Sequence, residues 1–355
     1  MTRQSSRPRL TRRGLIASAL ALTGGGALAA CSSGTASQAL RPGGAATGGP
    51  LTIGLTYTPN IQFAPFYMAL ANKDYEPAVK LRHHGGSEGL FDALLAGTEQ
   101  MVIAGADEAV VAASNGSPLV VIGGYYQRHP GCVIAREDSA VASLADLKGR
   151  VVGLPGRTGE NWYALQVAMR SAGLSESDLT ILEIGFTQQA ALAQPKPSAG
   201  DASRPDAIIG FSNNDAVGLK ESGVAVRTIP IGDDVPLIGA SLVTTRAVLE
   251  ARRAELADAV MASSRGMAAF VADPDAAVSA TRQYVPDLVD DAQATQARAV
   301  AVATAELIAP QGSDTTIGAL ERAKAATMIE FLGTQGILGP TEVTADAVCQ
   351  PLLAA

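Results

Sequence analysis

Aromatic residues are scarce in this sequence, 15 in 355 residues, and only one of them is a tryptophan, Trp162. Scarcity makes their placement informative. Histidine and cysteine are equally thin: His83, His84 and His129, and Cys31, Cys132 and Cys349. No Cys/His set has the spacing of a metal centre, and no Gly-x-Ser-x-Gly elbow is present. Neither the P-loop nor the dinucleotide fingerprint occurs. The expectation is therefore no metal, no cofactor, no catalytic residue and no enzymatic activity. Positive charge is short as well. The formal net charge is −7, and setting aside the five arginines of the first thirty residues takes it to −12. Such an acidic chain argues against nucleic acid or an anionic lipid surface as the main partner.

The first thirty residues hold all of that early basic charge. Arg3, Arg7, Arg9, Arg12 and Arg13 precede an apolar run from Gly14 to Ala30 that contains Gly24-Gly25-Gly26. The run is short and glycine-rich for a membrane span. Leu28-Ala29-Ala30-Cys31 resembles a bacterial lipoprotein cleavage site, and Thr11-Arg12-Arg13-Gly14-Leu15-Ile16 resembles a twin-arginine export signal. Residues 1–30 thus read as a signal peptide and Cys31 as the lipidated residue. Residues 31–50, rich in Ser, Gly, Ala and Thr, read as a flexible tether. Cys132 and Cys349 are left as either two buried thiols or one disulfide.

Beyond the tether, strand and helix signals alternate. Strand-like runs include Leu51–Leu55, Val79–Arg82, Met101–Ala104, Leu119–Gly123 and Cys132–Ala135. A second series follows with Val151–Leu154, Leu179–Ile184, Asp206–Phe211, Val224–Ile229 and Ile238–Thr244. Helical stretches sit between them: Pro65–Asn72, Ser87–Ala96 capped by Ser87, Asp107–Ser114 capped by Asp107, Asn161–Ser171 and Gln188–Ala193. Ser143–Asp146 opens a short helix with a capping-box pattern. From Ala247 the chain reads as helices broken by Pro274, Pro286, Pro310 and Pro340, and Gln194–Pro205 reads as loop. Alternation of this kind implies α/β layers. The two series predict two lobes: residues 51–137 with 242–355, and residues 138–241. The crossings are expected near Ala135–Val141 and Ile238–Thr244.

Nine aromatics fall at or just after the carboxyl ends of these strands: Tyr57, Phe63, Phe66, Tyr67, Tyr125, Tyr126, Trp162, Tyr163 and Phe211. Ligands of open α/β sheets bind at that edge, and an aromatic face suits a flat, partly apolar ring. Core packing is the competing use, and Phe66, beside Ala69 and Leu70, is assigned to it. Asn213-Asn214-Asp215 offers donors and acceptors for a ring edge, or a helix cap. Gly153–Glu160 is a glycine-rich strand-to-helix turn that could bring backbone N–H groups to a ligand, or simply turn the chain. Asp107 and Glu108 suit the first turn of their helix. His83 and His84, on opposite sides of a strand, are a poor chelate and are expected to face solvent.

Four stretches are similar to the solute-binding proteins of ABC importers, in the branch of thiamine-pyrimidine-precursor binders, riboflavin binders and related pyrimidine synthases. They are Tyr57-Thr58-Pro59-Asn60; Gly105–Glu108 through Ser117–Ile122 and Gln127–Pro130; Ser143–Gly153; and Ile184-Gly185-Phe186 with Asp206–Gly210. Asn213-Asn214-Asp215 resembles the Asn-Asn-Glu run of riboflavin-type members, and the cysteine-rich motif of the synthases is missing. The resemblance implies a two-lobed periplasmic-binding-protein-like fold of type II, with a ligand cleft between the lobes. It implies a lipid-anchored, extracytoplasmic, monomeric binding protein that serves an ABC permease and its ATPase. The expected ligand is a small aromatic heterocycle, a thiamine pyrimidine precursor first and a riboflavin-type ring second. An exported synthase-like enzyme on the same fold is the alternative class. Expected ring contacts are Tyr57, Tyr126 and Trp162. Expected edge contacts are Asn60, Asn213, Asn214, Asp215 and Glu160.

Overall fold

The computed structural model describes residues 48–76, 79–85, 88–194, 201–232, 234–286, 288 and 290–354. The leader, Cys31, nearly all of the tether, Ser87 and half of the 194–205 loop lie outside these residues. Ten strands form two five-stranded sheets. The first contains β1 (Thr52–Leu55), β2 (Lys80–His83), β3 (Met101–Gly105), β4 (Leu119–Gly124) and β10 (Ala240–Thr245), in the order β2-β1-β3-β10-β4. The second contains β5 (Gly131–Arg136), β6 (Val151–Leu154), β7 (Thr180–Glu183), β8 (Ala207–Phe211) and β9 (Val226–Pro230), in the order β7-β6-β8-β5-β9.

The two sheets share one plan. In each, three neighbouring strands run parallel, and one strand enters antiparallel between the third and the far edge. That antiparallel strand is always the one that has just crossed from the other sheet: β5 in the second, β10 in the first. Strand composition follows position. Central β3 is buried at every residue, whereas the edge strands β2 and β7 carry polar, half-exposed residues.

Among the described residues, eleven helices cover the sheets: α1 (Ala64–Ala71), α2 (Asp92–Leu95), α3 (Ala106–Ser114), α4 (Gly159–Ala172), α5 (Gln188–Ala193), α6 (Asp215–Glu221), α7 (Arg246–Ala272), α8 (Pro274–Thr281), α9 (Asp291–Ile308), α10 (Arg322–Thr334) and α11 (Ala345–Val348). Their ends follow local chemistry. Pro65 sits in the first turn of α1, where a missing N–H costs nothing. Gly173 ends α4 in the left-handed conformation, φ 66°. The Ser143/Asp146 capping box forms around a 3₁₀ turn at Leu144–Leu147. The helix read over Ser87–Ala96 is shorter than expected among the described residues, being α2.

Apolar packing divides into three regions. One lies on the outer face of the first sheet, where Phe66, Ile53, Leu55 and Ile122 meet residues of α7, α8 and α9. A smaller one, with Ile134, Ile208 and Leu219, backs the second sheet against α5 and α6. The third runs continuously through both lobes, from Val102 and Val110 to Val152, Leu165 and Ile209, and takes in Met328 and Phe331 of α10.

The chain passes between the lobes at 125–130 and 231–239, not at the expected segments. Cys132–Ala135 is indeed a strand, but it pairs antiparallel with β8 and β9, Cys132 opposite Gly210 and Pro230. It therefore belongs to the second lobe, and the boundary expected at residue 137 moves upstream. Cys132 in β5 and Cys349 beside β4 are both buried free thiols, which decides that alternative against the bridge. Burial also overturns the solvent-facing expectation for the histidine pair. His84 is buried against the fully buried Glu99, 3.0 Å away. His83 is half-buried, accepting from the Tyr67 hydroxyl at 2.9 Å and donating to the Tyr57 carbonyl at 3.2 Å.

Candidate functional site

α3 follows β3 of the first sheet and α4 follows β6 of the second, so each helix starts beyond the carboxyl end of a parallel strand. Their N-termini face one another, and the lobes are shut. Asn213 of the second lobe donates to Thr304 of α9 at 2.9 Å. The Ala106 and Asp107 amides donate to the Gly239 and Ile238 carbonyls of the second crossing, at 3.0 and 3.1 Å. Glycine allows this approach: a Cβ on Gly105 would stand 2.8 Å from Glu160 Oε1.

Where the helix ends meet, acidic groups converge. Asp107 and Glu108 come from α3 and Glu160 from α4. The Asp107 side chain is fully buried. Its Oδ1 accepts the Glu108 amide at 2.7 Å, and its Oδ2 has no partner. His129, from the first crossing, is also sealed from solvent. Its Nδ1 accepts the Gly131 amide at 3.1 Å, and its unpartnered Nε2 stands 3.6 Å from Asp107 Oδ2. Glu160 Oε1 and Asn161 Oδ1 are likewise buried and unpaired. Buried polar atoms nearly always have partners, so such a concentration marks a place built for another molecule's polar groups.

Burial, then the neighbouring Asp107 charge, pushes the Glu108 carboxyl up to about 8. Burial, then Asp107 and Glu108, holds Glu160 well above the usual carboxylate range. The Tyr163 hydroxyl behind them is raised by burial and by the same acids. Tyr126 is pushed up to about 12, mainly by burial. Facing groups thus comprise Asp107, Glu108, Glu160, His129, Tyr126 and Tyr163. The sign of the linkage is clear. A shut form that retains the Glu108 and Glu160 protons is favoured most below the ordinary carboxylate value of 4.5, and the preference is lost as pH rises through about 8. We expect the radius of gyration of the ligand-free protein to increase between pH 5 and pH 9. An unchanged X-ray scattering profile across that range would refute the linkage.

The donor atoms of Asp107, His129 and Glu160 lie within 4.8 Å of one another, close enough to consider a metal ion. The histidine tautomer disfavours it. A neutral ring that accepts at Nδ1 carries its proton on Nε2, the nitrogen that faces the carboxylates. A histidine ligating through Nε2 would instead donate from Nδ1. The trio therefore offers one N–H donor beside carboxyl oxygens.

Tyr57 follows β1 and Phe186 follows β7, so the exposed mouth between the lobes carries one ring from each. Both rings are exposed, by 47% and 75%, and their centroids are 6.5 Å apart with a 56° tilt. A groove of about 820 Å³ also runs along the two crossings, lined in part by Tyr126, His129, Pro236, Gly239 and Lys324.

Sequence-chosen residues divide sharply. Tyr57 reaches the mouth and Glu160 the buried cluster. Tyr126 is buried, its hydroxyl 3.4 Å from both the Gln62 and Asn213 amides. Asn213 bridges the lobes and keeps an unpaired Oδ1. Trp162 packs beside the core with the Arg157 guanidinium 5.2 Å from its ring centre, so one ring face is taken. Asn60 is committed to its own turn: Oδ1 accepts the Gln62 amide and Nδ2 donates to the Thr58 carbonyl, both at 2.9 Å. Asn214 is the N-cap of α6, without a side-chain capping bond. Asp215 braces the end of β8, accepting the Phe211 amide at 2.8 Å and Gln189 Nε2 at 3.1 Å. Asp215 and Asn60 are thus both held by intramolecular hydrogen bonds. Asp107 does not cap α3, since Gly105 holds that position. His129, Asp107, Asn161 and Phe186 were not among the chosen residues. A lone histidine behind a strand and an acid pair opening a helix were their faint signals.

Two mixed sheets with paired crossings define the periplasmic-binding-protein fold. The chain belongs to the NMT1/THI5-like family, whose profile matches residues 60–277. It is 32% identical over 242 residues to the riboflavin-binding protein RibY of Chloroflexus aurantiacus, covering 67% of each chain. Among solved structures it is similar to the periplasmic aliphatic sulphonate binding protein SsuA of Escherichia coli. There the TM-score is 0.64 at 16% identity, over 84% of this chain and 92% of that one. The desulfurization enzyme DSZB shares the fold at a TM-score of 0.50 and 17% identity, over 80% of this chain and 93% of that one.

Proposed function

We propose that this protein captures a flat, ring-bearing nutrient outside the cytoplasmic membrane and delivers it to an ABC permease and its ATPase. The observation that carries this reading is the Tyr57–Phe186 pair. Two exposed aromatic rings from opposite lobes meet with their centroids 6.5 Å apart, and a buried polar cluster joins the same two lobes. Left bare they cost hydration free energy; a planar ring slipped between them buries both faces. An intercalated ring needs roughly 7 Å between the two faces, so a small opening of the mouth suffices.

The buried cluster argues against an anionic solute. Helix N-termini alone would favour one, but Asp107, Glu108 and Glu160 occupy both of these. A sulfonate, the solute named for the Escherichia coli fold relative, would supply acceptors only and leave the buried Asp107 Oδ2 unmatched. The similarity to RibY supports a riboflavin-type ring over a thiamine pyrimidine precursor. Lipid on Cys31 would keep a monomeric protein tethered at the extracytoplasmic face.

The test begins with mass spectrometry of whatever co-purifies, followed by titration of the stripped protein with riboflavin and with 4-amino-5-hydroxymethyl-2-methylpyrimidine. Saturable one-to-one binding of a heterocycle, recovered chemically unchanged, is the expected result. Chemical conversion would favour the exported-enzyme reading. Tight sulfonate binding without any heterocycle binding would overturn the proposal. In the same host, Cys31→Ala should move the processed protein from membranes to the soluble fraction.

A further inference from the structure

Resting on the ring-binding reading, the buried cluster can be read more closely than "polar". Three buried groups from three separate elements converge there: Asp107 from α3, Glu160 from α4 and His129 from the first crossing. Each presents one unpartnered atom, Oδ2, Oε1 and Nε2 respectively. The Asp107 and His129 side chains are wholly buried. These atoms do not satisfy one another. Asp107 Oδ2 and His129 Nε2 are 3.6 Å apart, too long for a hydrogen bond. The gap is instead the spacing of neighbouring partners in a two-point contact.

Their polarity is fixed by what lies behind them. The Gly131 amide occupies His129 Nδ1, so Nε2–H is the free donor. The Glu108 amide occupies Asp107 Oδ1, so Oδ2 is the free acceptor. Both orientations come from the backbone, so the site is arranged before a ligand arrives. A simple cation would supply donors only and leave His129 Nε2–H unmatched. An anion would supply acceptors only and leave Asp107 Oδ2 unmatched.

We propose that His129, Asp107 and Glu160 form an edge reader for a heterocycle whose ring carries an N–H donor beside an acceptor. His129 Nε2–H donates to the ring carbonyl or ring nitrogen, and Asp107 Oδ2 and Glu160 Oε1 accept the adjacent N–H or amino group. A cyclic imide, as in a flavin, and a 4-aminopyrimidine both present that pattern, and blocking the donor on each separates them. In this arrangement Asn60 and Asp215 have no part in the edge.

Calorimetry with riboflavin, N3-methylriboflavin, the aminopyrimidine above and its N,N-dimethylamino analogue, on the wild-type protein, tests the assignment. Whichever parent ring binds should lose about tenfold or more in affinity on methylation, because a buried acceptor is then left unmatched. His129→Phe and Asp107→Ala should each cost a similar factor and shrink the parent-to-methyl preference. His129→Gln, which keeps a donor, should recover part of the loss. A structural role would not change that preference, and thermal melts report folding separately. Should a variant not fold, the methylated probes on the wild type decide. Equal affinity for parent and methylated rings would overturn the edge reader while leaving ring binding standing. Failure of every ring to bind would overturn both.

Discussion

Removing both rings at the mouth, Tyr57→Ala together with Phe186→Ala, is expected to weaken heterocycle binding by about 2–5 kcal/mol, which is roughly 30-fold to several thousand-fold. Each ring offers one face to a bound flat ligand, and stacking on an aromatic contributes about 1–3 kcal/mol. The two come from different lobes, so each single variant should also favour the open form and slow closure less than the pair does. Stability should hardly change. Phe186 is three-quarters exposed and Tyr57 nearly half exposed, so truncation leaves no cavity. Isothermal titration of the single and double variants, with melting temperatures measured alongside, gives the answer. Undiminished affinity in the double variant would remove the aromatic clamp from the mechanism.

Much of the scaffold was legible because its strands are short apolar runs bounded by polar turns. Val151–Leu154 and Met101–Ala104 can hardly be anything else in a chain where strands and helices alternate. Sheet membership was not legible. Nothing local to Cys132–Ala135 says that it pairs with residues 72 to 98 positions downstream, in Ala207–Phe211 and Val226–Pro230. That pairing moves the lobe boundary. The site divides in the same manner. Tyr57 and Glu160 stand where strand ends met turn chemistry. Asn60 and Asp215 have the right chemical groups, but local backbone amides claim them, a competition that short polar side chains at turns regularly lose to their own chain. His129 had no motif around it. Its meaning comes only from the Gly131 amide behind it and the Asp107 carboxylate in front, which three-dimensional packing brings together. Phe186 is conspicuous only once its exposure is known.

Phe66→Ala should cost about 3–5 kcal/mol of stability, the range for removing a fully buried phenylalanine. Phe66 is 0% exposed in α1, and its ring meets the Tyr125 ring edge-on at 5.4 Å. Tyr125 in turn donates to the Gln62 carbonyl and lies 4.5 Å, ring to ring, from Tyr126. The cavity would therefore open beneath the pair that begins the first crossing. It cannot collapse easily, because on the neighbouring side α1 lies against α7 at Gly266, where a Cβ would fall 2.7 Å from the Ala69 methyl. A melting temperature lower by on the order of 10 °C follows for a protein of this size. Binding should weaken as well, by a smaller factor, since Tyr126 carries the hydroxyl that meets Asn213 across the lobes. Phe66→Leu, which fills most of the volume, should recover the larger part of both losses. Thermal unfolding of the two variants measures this, and an Ala variant that melts within about 2 °C of the wild type would show that Phe66 does not support the crossing.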